Sequence, residues 1–345
     1  MTAPVSPPRV SVVVPAYNAA TTLAACLHSL VAQTLGDREI LVMDDASTDA
    51  TPEVAAAFAP QVTVVRQPVN RGQFPNVEDG IRRARGRYVA VYHADDVYDP
   101  TILAEEVAVL DADLTVGLVF ALDRFIDGAG REYGRLHLPP TIRGRGRLDY
   151  QTVLNGVLTH KNVFLPTPSA VARTEWYRRA GAFRPEFGSA ADLDMWLRMA
   201  RFGQVVVLER HLFSYRHTSD SVGQAYQRLR VTPENYFELM DRHLADAPPA
   251  VVVPAARRAH EAHRAVDRLR IAVNAYIRGD RRVCRELHAQ VDWRALLGSP
   301  HVPRPRHLVL WTLLAVLSRL PHLSVAARGL HWRFYRRLPW WHEAA

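Results

Sequence analysis

The first hundred residues alternate between short apolar runs and amphipathic stretches. Apolar runs at 9–15, 40–43, 62–65 and 88–92 predict buried strands. Between them, residues 21–33 and 75–85 predict helices, and Thr51-Pro52-Glu53 is typical of a helix start. Strands that alternate with helices through short connections predict a parallel sheet with helices on both faces.

The same alternation continues to about residue 220, where the pattern changes. Residues 101–112, 174–180 and 192–200 predict helices, and 116–126, 168–173, 205–208 and 212–215 predict strands. Residues 225–295 have helical spacing and no convincing strand. We therefore predict an α/β domain at 1–223, with halves 9–112 and 113–223, followed by a helical C-terminal region at 224–345.

The C-terminal tail is basic and contains many aromatic residues. Its apolar stretch from His307 to Ser318 has 12 residues, whereas a helix that spans a bilayer needs about 20. Residues 301–345 contain seven Arg, one Glu and four of the seven Trp. Two interpretations stay open, a contact with the inner-membrane surface through 301–345 or a helical pair packed on the α/β domain.

Composition narrows the classes of function. The chain has 43 Lys+Arg against 35 Asp+Glu, but no recognisable nucleic-acid-binding module, so we expect no nucleic-acid partner. The two cysteines lie far apart, which argues against a disulfide framework and favours a reducing compartment. The first strand begins without a preceding signal peptide, so we expect a cytoplasmic protein, and a peripheral position on the membrane's inner face stays open.

Two pairs of carboxylates follow predicted strands directly, Asp44-Asp45 and Asp95-Asp96. In open α/β sheets, ligands bind at the edge formed by the carboxyl ends of the strands. A carboxylate pair at that edge can hold a hard divalent cation, which can in turn hold a diphosphate. The alternative is that Asp95 and Asp96 only cap the turn into the next helix, which Asp99 and Pro100 are predicted to begin.

Four ordered motifs between residues 9 and about 220 resemble the family 2 glycosyltransferases, which are inverting enzymes that use sugar nucleotides. The motifs are VSVVVPAYN at 10–18, VMDDASTD at 42–49, ADD at 94–96 and DLDMWL at 192–197. The resemblance implies a GT-A fold, a mostly parallel sheet flanked by helices, here with a C-terminal helical extension. It also implies a part in bacterial cell-surface polysaccharide synthesis.

The resemblance carries site residues with it. Those implied for the nucleotide are Pro15, Ala16 and Tyr17 lining the pocket, Asp45 accepting from the base, Asp44 supporting that loop and Arg71 contacting base or phosphate. Asp95 and Asp96 would bind Mn²⁺ or Mg²⁺, with Asp95 also able to reach the ribose. Arg216 and His217 match basic residues over the diphosphate, although a solvated loop is an alternative there.

Asp192 matches the catalytic base of the family. An Asp at a helix start is also a routine N-cap, and Asp194 is a second candidate for the base. Two positions depart from the family pattern. His93 stands where the first acid of the metal motif is often found, so it is either a metal or phosphate ligand or a plain strand-end residue. Ala191 replaces a Glu that many relatives have before the base.

The leading hypothesis is an inverting transferase that moves a sugar from a UDP- or dTDP-linked donor to a glycan or a lipid-linked acceptor. A bound cation would stabilise the leaving diphosphate, and a carboxylate would take the proton of the acceptor hydroxyl. One alternative is a catalytically silent nucleotide-sugar binder or membrane-associated assembly partner. Another is a sugar nucleotidyltransferase, against which the loop PAYNAA at 15–20 argues because it lacks Gly and basic residues.

Overall fold

The computed structural model describes residues 7–217, 229–298, 304–320, 326 and 329–330, and the chain forms two compact units. The first unit contains the chain up to residue 153 together with 162–218. The second contains residues 154–161 and the chain from 219 onward. The predicted domain boundary after residue 223 lies outside the described residues and stays a prediction. The sequence did not suggest that residues 154–161 join the second unit.

The first unit is an α/β unit with one sheet. Its strands are β1 Val10–Ala16, β2 Arg38–Asp44, β3 Thr63–Arg66, β4 Tyr88–Val91, β5 Val97–Tyr98, β6 Val116–Ile126, β7 Glu132–Arg135, β8 Ala170–Arg173 and β9 Gln204–Arg216. The helices are α1 Leu23–Val31, α2 Thr51–Ala56, α3 Gln73–Arg83, α4 Ile102–Ala112, α5 Tyr150–His160, α6 Thr174–Ala180 and α7 Ala191–Met199. Short 3₁₀ helices lie at Thr167–Ser169 and Pro185–Ala190. Helix α5 begins in this unit and continues into the second.

The strands form a sheet in the order β3-β2-β1-β4-β8-β6-β9-β5, with β7 paired to β6. The predicted parallel arrangement holds among β1, β2, β3 and β4 and in the pair of β6 with β9. Strand β8 runs antiparallel to both of its neighbours, and β5 and β7 add further antiparallel pairs, so the sheet is mixed. Because Val91 at the end of β4 pairs with Ala170 at the start of β8, the turn before β8 lies at the carboxyl edge of the parallel strands.

Helices cover both faces of the parallel strands. On one face, α1, α2 and α4 share a hydrophobic cluster with Val10, Val12 and Val14 of β1. On the other face, α3 places Gly80 directly against Val13. Side chains on both faces of β1 are therefore buried, which explains why its sequence is a continuous apolar run rather than an alternating one.

Two local predictions were wrong, and some elements were missed. The two strands predicted at 205–208 and 212–215 are one strand, β9, because its pairing with β6 continues through register shifts near Leu122. Helix α4 is capped by Thr101 rather than begun by Asp99-Pro100, and the Asp99 carboxylate accepts hydrogen bonds from the Thr101 N–H and hydroxyl. Helix α5 and strands β5 and β7 were not predicted at all.

Replacing Gly86 by Ala is expected to destabilise the first unit. A Cβ at this position would lie 2.6 Å from the backbone nitrogen of Ser11 and 2.8 Å from the carbonyl oxygen of Tyr88, and backbone atoms of a central strand cannot move aside cheaply. Overpacking of this kind costs about 1–3 kcal/mol. Thermal unfolding should show a lower midpoint for Gly86→Ala and no change for Gly36→Ala, where an added Cβ has no described neighbour within 4 Å. Equal midpoints for the two variants would contradict the packing argument.

The second unit is helical throughout its described part. Its helices are α8 Asn235–Asp246, α9 Pro254–Ile277, α10 Arg281–Ala289, α11 Ala295–Gly298 and α12 Arg304–Leu317, with a 3₁₀ turn at Pro249–Val251. The long helix α9 supplies the centre of a hydrophobic cluster that includes Leu269, Tyr276 and Leu314. None of the helices in the described residues is long and apolar enough to cross a membrane.

Residues 154–161 are attached to the second unit by specific hydrogen bonds. The Asn155 side chain donates to the carbonyl of Val251 at 2.7 Å and accepts from the N–H of Val253 at 2.9 Å. The Tyr236 hydroxyl donates to the carbonyl of Val157 at 2.9 Å. The later part of α5 therefore belongs structurally with helices that follow it by about eighty to a hundred residues in the chain.

Candidate functional site

The predicted ligand edge of the sheet is present. Strands β1, β2 and β4 are parallel, and Ala16 at the end of β1 pairs with Asp44 at the end of β2. The residues that follow these three strands therefore meet at one edge, as the alternation of strands and helices predicted. The turn Thr167–Ser169 before β8 and the last residues of β9 lie at the same edge, because β8 starts there and β9 runs parallel to β6.

The loops after β1 and β2 are joined to each other by hydrogen bonds. The Asn18 N–H donates to the Ser47 hydroxyl at 3.0 Å, and the Thr48 N–H donates to the Asn18 side chain at 2.8 Å. Within this fixed pair of loops, Pro15 and Ala16 belong to β1, and the side chain of Tyr17 is 50% exposed. The Tyr17 ring is therefore open to a flat partner, which fits the predicted contact with a base.

Asp45 has a structural contact that the sequence did not suggest. Its two carboxylate oxygens accept hydrogen bonds from the backbone N–H groups of Arg71 and Gly72, both at 2.8 Å, so it fixes the loop that begins α3. Asp44 is buried, and its Oδ1 accepts from the Ser47 N–H at 3.1 Å, within the loop that we predicted it to support. The Arg71 side chain is exposed. Recognition of a base by Asp45 or Arg71 stays a prediction.

His93, Asp95 and Asp96 each offer one ligand atom, and these atoms all lie within 4.8 Å of one another. Asp96 is fully buried. Its Oδ1 accepts the backbone N–H of Arg216 at 2.8 Å, and its Oδ2 has no hydrogen-bond partner among the described residues. Burial, together with the charge of Asp95, raises the pKa of Asp96 well above its ordinary value. The interpretation of Asp96 as a mere cap of α4 is wrong, because its described partner is in β9.

Arg216 connects the acidic turn to the turn after β6. Its Nε donates to the carbonyl of Asp95 at 3.0 Å, and its Nη1 donates to the carbonyls of Asp127 and Gly128 at 3.2 and 3.3 Å. The side chain is buried, so the residue positions the metal motif in this structure. The predicted contact of Arg216 with a diphosphate stays a prediction.

His217 lies against aromatic side chains next to the same turn. Its ring stacks on Phe125 with centroids 5.3 Å apart, and its Nδ1 shares a hydrogen bond with the Tyr133 hydroxyl. Burial lowers the pKa of His217 to about 4, so the ring is uncharged near neutral pH. As a partner for a diphosphate, which stays a prediction, it would therefore act as a hydrogen-bond donor rather than as a charge. Residues 218–223, the rest of the predicted loop, lie outside the described residues.

Asp192 is not the N-cap of its helix. Helix α7 begins at Ala191 and its N-cap position is Ala190, so the routine interpretation of Asp192 as a cap is wrong. Its Oδ2 accepts a hydrogen bond from the Thr167 hydroxyl at 2.6 Å, and Thr167 Oγ1 accepts in turn from the Trp196 indole N–H at 3.1 Å. The three side chains form a chain that orients the carboxylate.

The pKa of Asp192 relates it to the metal motif. Burial raises this pKa, while the hydrogen bond from Thr167 and the charge of His93 act in the opposite direction. Burial lowers the pKa of His93, and the negative charges of Asp95 and Asp192 partly offset that effect. His93 is thus electrostatically coupled both to the acidic motif and to Asp192, which brings the predicted metal ligands and the predicted base into one site.

Asp194, the second candidate for the base, has a different environment. Its carboxylate is fully buried and forms ion pairs with Arg198 at 2.8 Å and Arg184 at 3.3 Å. Two residues further along the helix than Asp192, it points to another side, as helical geometry requires. We conclude that Asp194 stabilises α7 and its neighbouring turn.

Sequence reasoning missed several residues of the site. Thr167 gave no signal, because only the long-range pairing of β8 brings its turn to this edge. The Tyr98 hydroxyl accepts from the His93 N–H at 2.7 Å and donates to the Pro168 carbonyl at 3.1 Å, so it joins the metal motif to the turn of Thr167. An acid inside an apolar strand could have revealed Asp123, which is buried and whose Oδ1 has no described hydrogen-bond partner. Burial raises the pKa of Asp123 to about 7.

Comparison with protein families gives a match to the model described as glycosyl transferase family 2, over residues 11–181. The chain is 31% identical over 221 residues to the uncharacterized protein MT1568 of Mycobacterium tuberculosis, which covers 61% of this chain and 68% of that protein. It is 26% identical over 241 residues to chondroitin synthase of Escherichia coli, covering 69% of this chain and 33% of the synthase. The chain therefore spans only a third of the latter relative.

Two solved structures share the fold. TarS 1–349 of S. aureus, in complex with UDP-GlcNAc, has a TM-score of 0.57 at 16% identity and covers 94% of this chain and 91% of that chain. The mannosyltransferase PcManGT of Pyrobaculum calidifontis, in complex with GDP-Man and Mn²⁺, has a TM-score of 0.56 at 21% identity, with 97% and 89% covered. These likenesses confirm the predicted α/β fold of the GT-A class.

Proposed function

The chain belongs to glycosyltransferase family 2, and we propose that it is an inverting enzyme that transfers a sugar from a nucleoside diphosphate to a glycan or lipid-linked acceptor. The observation that carries the proposal is a shared location. Asp192, which accepts a hydrogen bond from Thr167, and the cluster of His93, Asp95 and Asp96 lie at the same edge of the sheet. A transferase needs a base for the acceptor and a site for the leaving diphosphate, and we propose Asp192 for the first and the acidic cluster for the second.

The donor that we propose is a nucleoside diphosphate sugar, UDP- or dTDP-linked. Sugar nucleotides are bound in both solved structures named above, UDP-GlcNAc in one and GDP-Man in the other, which supports the class of donor. In this chain the half-exposed ring of Tyr17 would flank the base, with Pro15 and Ala16 behind it. Asp45 would accept from the base with the lone pairs that Arg71 and Gly72 leave unused.

A divalent cation fits the acidic cluster. Asp96 has a buried carboxylate oxygen without a described partner, a costly arrangement that a bound cation would relieve. Two carboxylates and one imidazole form a donor set that Mn²⁺ or Mg²⁺ accepts, with the nitrogen ligand favouring Mn²⁺. Asp96, Asp95 and His93 would hold the ion, and the ion would supply charge stabilisation for the departing diphosphate.

The part that we propose for Asp192 is general-base catalysis. Inversion requires a carboxylate on the face of the sugar opposite the leaving group, where it takes the proton from the attacking hydroxyl. The hydrogen bond from Thr167 occupies Oδ2 and fixes the plane of the carboxylate. Burial raises the pKa of Asp192, which makes it a stronger base than an exposed Asp.

The acceptor and the location are proposed from the relatives and from the tail. One relative is named chondroitin synthase, and another, 40% identical over 106 residues, is the succinoglycan biosynthesis protein ExoO of Rhizobium meliloti. A growing polysaccharide of the cell envelope is therefore the acceptor class that we favour. A cytoplasmic enzyme that is peripheral on the inner face of the membrane, in contact through residues 301–345, would meet a lipid-linked form of such an acceptor.

Calorimetric titration with UDP, GDP and dTDP, each with and without Mn²⁺, tests the proposed function. We expect one nucleotide to bind in a metal-dependent manner, because the diphosphate needs the cation to offset the carboxylates. The full-length protein is used, with circular dichroism to show that it is folded. Folded protein that binds none of the three nucleotides would contradict the proposal and favour the silent assembly partner.

Replacing Thr167 by Val tests its part as a positioning residue for Asp192. We expect kcat to fall by about 10- to 100-fold with donor KM unchanged, since a displaced catalytic group can cost about 100-fold. The hydrogen bond from Thr167 stabilises the charged carboxylate, so its loss should raise the pKa of Asp192. The acidic limb of the pH–rate profile should therefore move to higher pH. Thr167→Ser keeps the hydroxyl and should retain most activity. Equal losses of kcat in both variants, without a change in the pH–rate profile, would contradict the positioning role of Thr167.

A further inference from the structure

Helix α12 is apolar on two faces. One face, with Leu310, Leu314 and Leu317, is buried in the hydrophobic cluster of the second unit. The other face exposes three large apolar side chains, Val309 at 69%, Leu313 at 45% and Val316 at 54%, and Leu320, just after the helix, is 44% exposed. Single exposed apolar residues are ordinary on protein surfaces, but a group of four is typical of a surface that meets a partner.

We call these four residues the α12 stripe. Spacings of four and three residues place Val309, Leu313 and Val316 on the same side of α12 over a length of about 11 Å, and Leu320 follows three residues after the end of the helix. Helical hydrogen bonds continue past the end of α12, since the Ser318 N–H donates to the Leu314 carbonyl and the Arg319 N–H to the Val316 carbonyl. The exposed Thr312 beside the stripe is uncharged.

The surroundings of the α12 stripe are basic. Residues 304–320 include three arginines and no Asp or Glu. At the carboxyl end of the helix, Arg281 of α10 donates to the carbonyl of Arg319 at 3.1 Å and Arg285 donates to that of Ser318 at 3.2 Å. Arg319 is itself exposed, so three arginines, Arg281, Arg285 and Arg319, lie near the carboxyl end of the stripe.

This combination distinguishes between two kinds of partner. If the stripe met the stripe of a second copy, two segments that contain arginine and no acid would lie against each other, so residues 304–320 would leave this charge without a partner of opposite sign. An anionic bilayer surface satisfies both features, because the acyl boundary accepts apolar side chains and the headgroups attract arginine.

We propose that the α12 stripe docks the protein on an anionic lipid surface, with Arg281, Arg285 and Arg319 at the level of the headgroups. The proposal rests on the proposed function only in that the membrane is where a lipid-linked acceptor would be met. It narrows the predicted contact of residues 301–345 to three side chains on one face of α12 and Leu320 just after the helix. The face of α12 that packs inside the second unit takes no part.

Flotation of the full-length protein with vesicles tests the docking surface. Vesicles of phosphatidylcholine with about 30% phosphatidylglycerol are compared with phosphatidylcholine alone. We expect binding to the anionic vesicles that weakens in about 0.5 M NaCl, and a loss of at least about 10-fold in Leu313→Glu/Val316→Glu. The matched control is Ala255→Glu/Gln290→Glu, which adds the same two charges at exposed positions of the second unit and should bind nearly as the parent does.

Three results would overturn the proposal. Equal losses in both double variants would mean that net charge alone governs binding. Unchanged vesicle binding with a dimer-to-monomer change in sedimentation velocity for Leu313→Glu/Val316→Glu would identify a second copy as the partner. Unchanged vesicle binding with a lower unfolding midpoint would mean that the chain itself covers the stripe. Nucleotide titration of the same variant separates this result from the proposed function, because metal-dependent binding should be unaffected in it.

Discussion

Asp192→Asn is expected to lower kcat for sugar transfer by about 1,000-fold and to leave donor affinity within a few fold. General-base catalysis contributes about 10²- to 10⁴-fold, and Asn cannot accept the proton of the acceptor hydroxyl. The amide oxygen can still accept the hydrogen bond from Thr167, so the geometry of α7 should persist. Single-turnover kinetics, with a sugar donor that carries the nucleotide identified by calorimetry, measures the chemical step, and calorimetry measures the affinity.

The pH dependence of the parent enzyme adds a second test of the same assignment. A base must be deprotonated to act, so the rate should fall as the pH drops through the pKa of Asp192. Because burial raises this pKa, the acidic limb should lie above the range of an exposed Asp. In Asp192→Asn the acidic limb should be absent from the residual activity.

Asp194→Asn provides the matched control on the same helix. It leaves Arg198 and Arg184 without their carboxylate, and breaking a buried ion pair costs about 3–5 kcal/mol. The expected result is a clearly lower unfolding midpoint with the activity of the folded fraction retained. If instead Asp194→Asn abolished transfer and Asp192→Asn did not, the two residues would have to exchange their assigned parts.

Asp96→Asn is expected to weaken metal-dependent nucleotide binding by about 100-fold or more. Loss of an outer-shell partner alone costs about 10- to 100-fold in metal affinity, and Asp96 is proposed as a direct ligand. Asn keeps an oxygen for the Arg216 N–H, so the backbone connection between the acidic turn and β9 should survive. Calorimetric titration with the nucleotide that binds the parent protein, with and without Mn²⁺, measures the effect.

The control for this variant is Asp99→Asn, three residues further along the chain. The Asp99 carboxylate contacts Thr101 at the start of α4, so its replacement should leave nucleotide binding nearly unchanged. Parent-like binding by Asp96→Asn, with the same dependence on Mn²⁺, would show that the acidic cluster does not hold the ion.

The parts of the site that the sequence could predict are those made by local structure. In a parallel sheet, the loop between a strand and the next helix lies at the carboxyl edge of the strands. This rule was enough to predict that Asp45 and Asp96 lie at the same edge. The rule says nothing of β8, which enters the sheet between β4 and β6 from a distant part of the chain. Thr167 was missed for this reason.

Residue type alone also left functional and structural acids indistinguishable. Asp192 and Asp194 lie in the same turn of α7, and only the side chains around them distinguish their functions. One accepts from Thr167 and Leu193, and the other is held between two arginines. The pair of Asp194 with Arg198 has the i,i+4 spacing of a helix, which is visible in the sequence. The contact of Asp192 with Thr167 joins residues of two different elements, and no local pattern encodes it.

The placement of residues 154–161 limits how the protein can be divided. These residues belong to the second unit although the chain returns to the first unit at residue 162. A fragment that ended near residue 218 would keep Asn155 and Val157 but lose Val251 and Tyr236, to which they are hydrogen-bonded. The first unit therefore cannot be transferred alone as one continuous piece of sequence. A gene fusion or recombination event that transfers it must also include the helices of the second unit that contact residues 154–161, or supply other partners for the second half of α5.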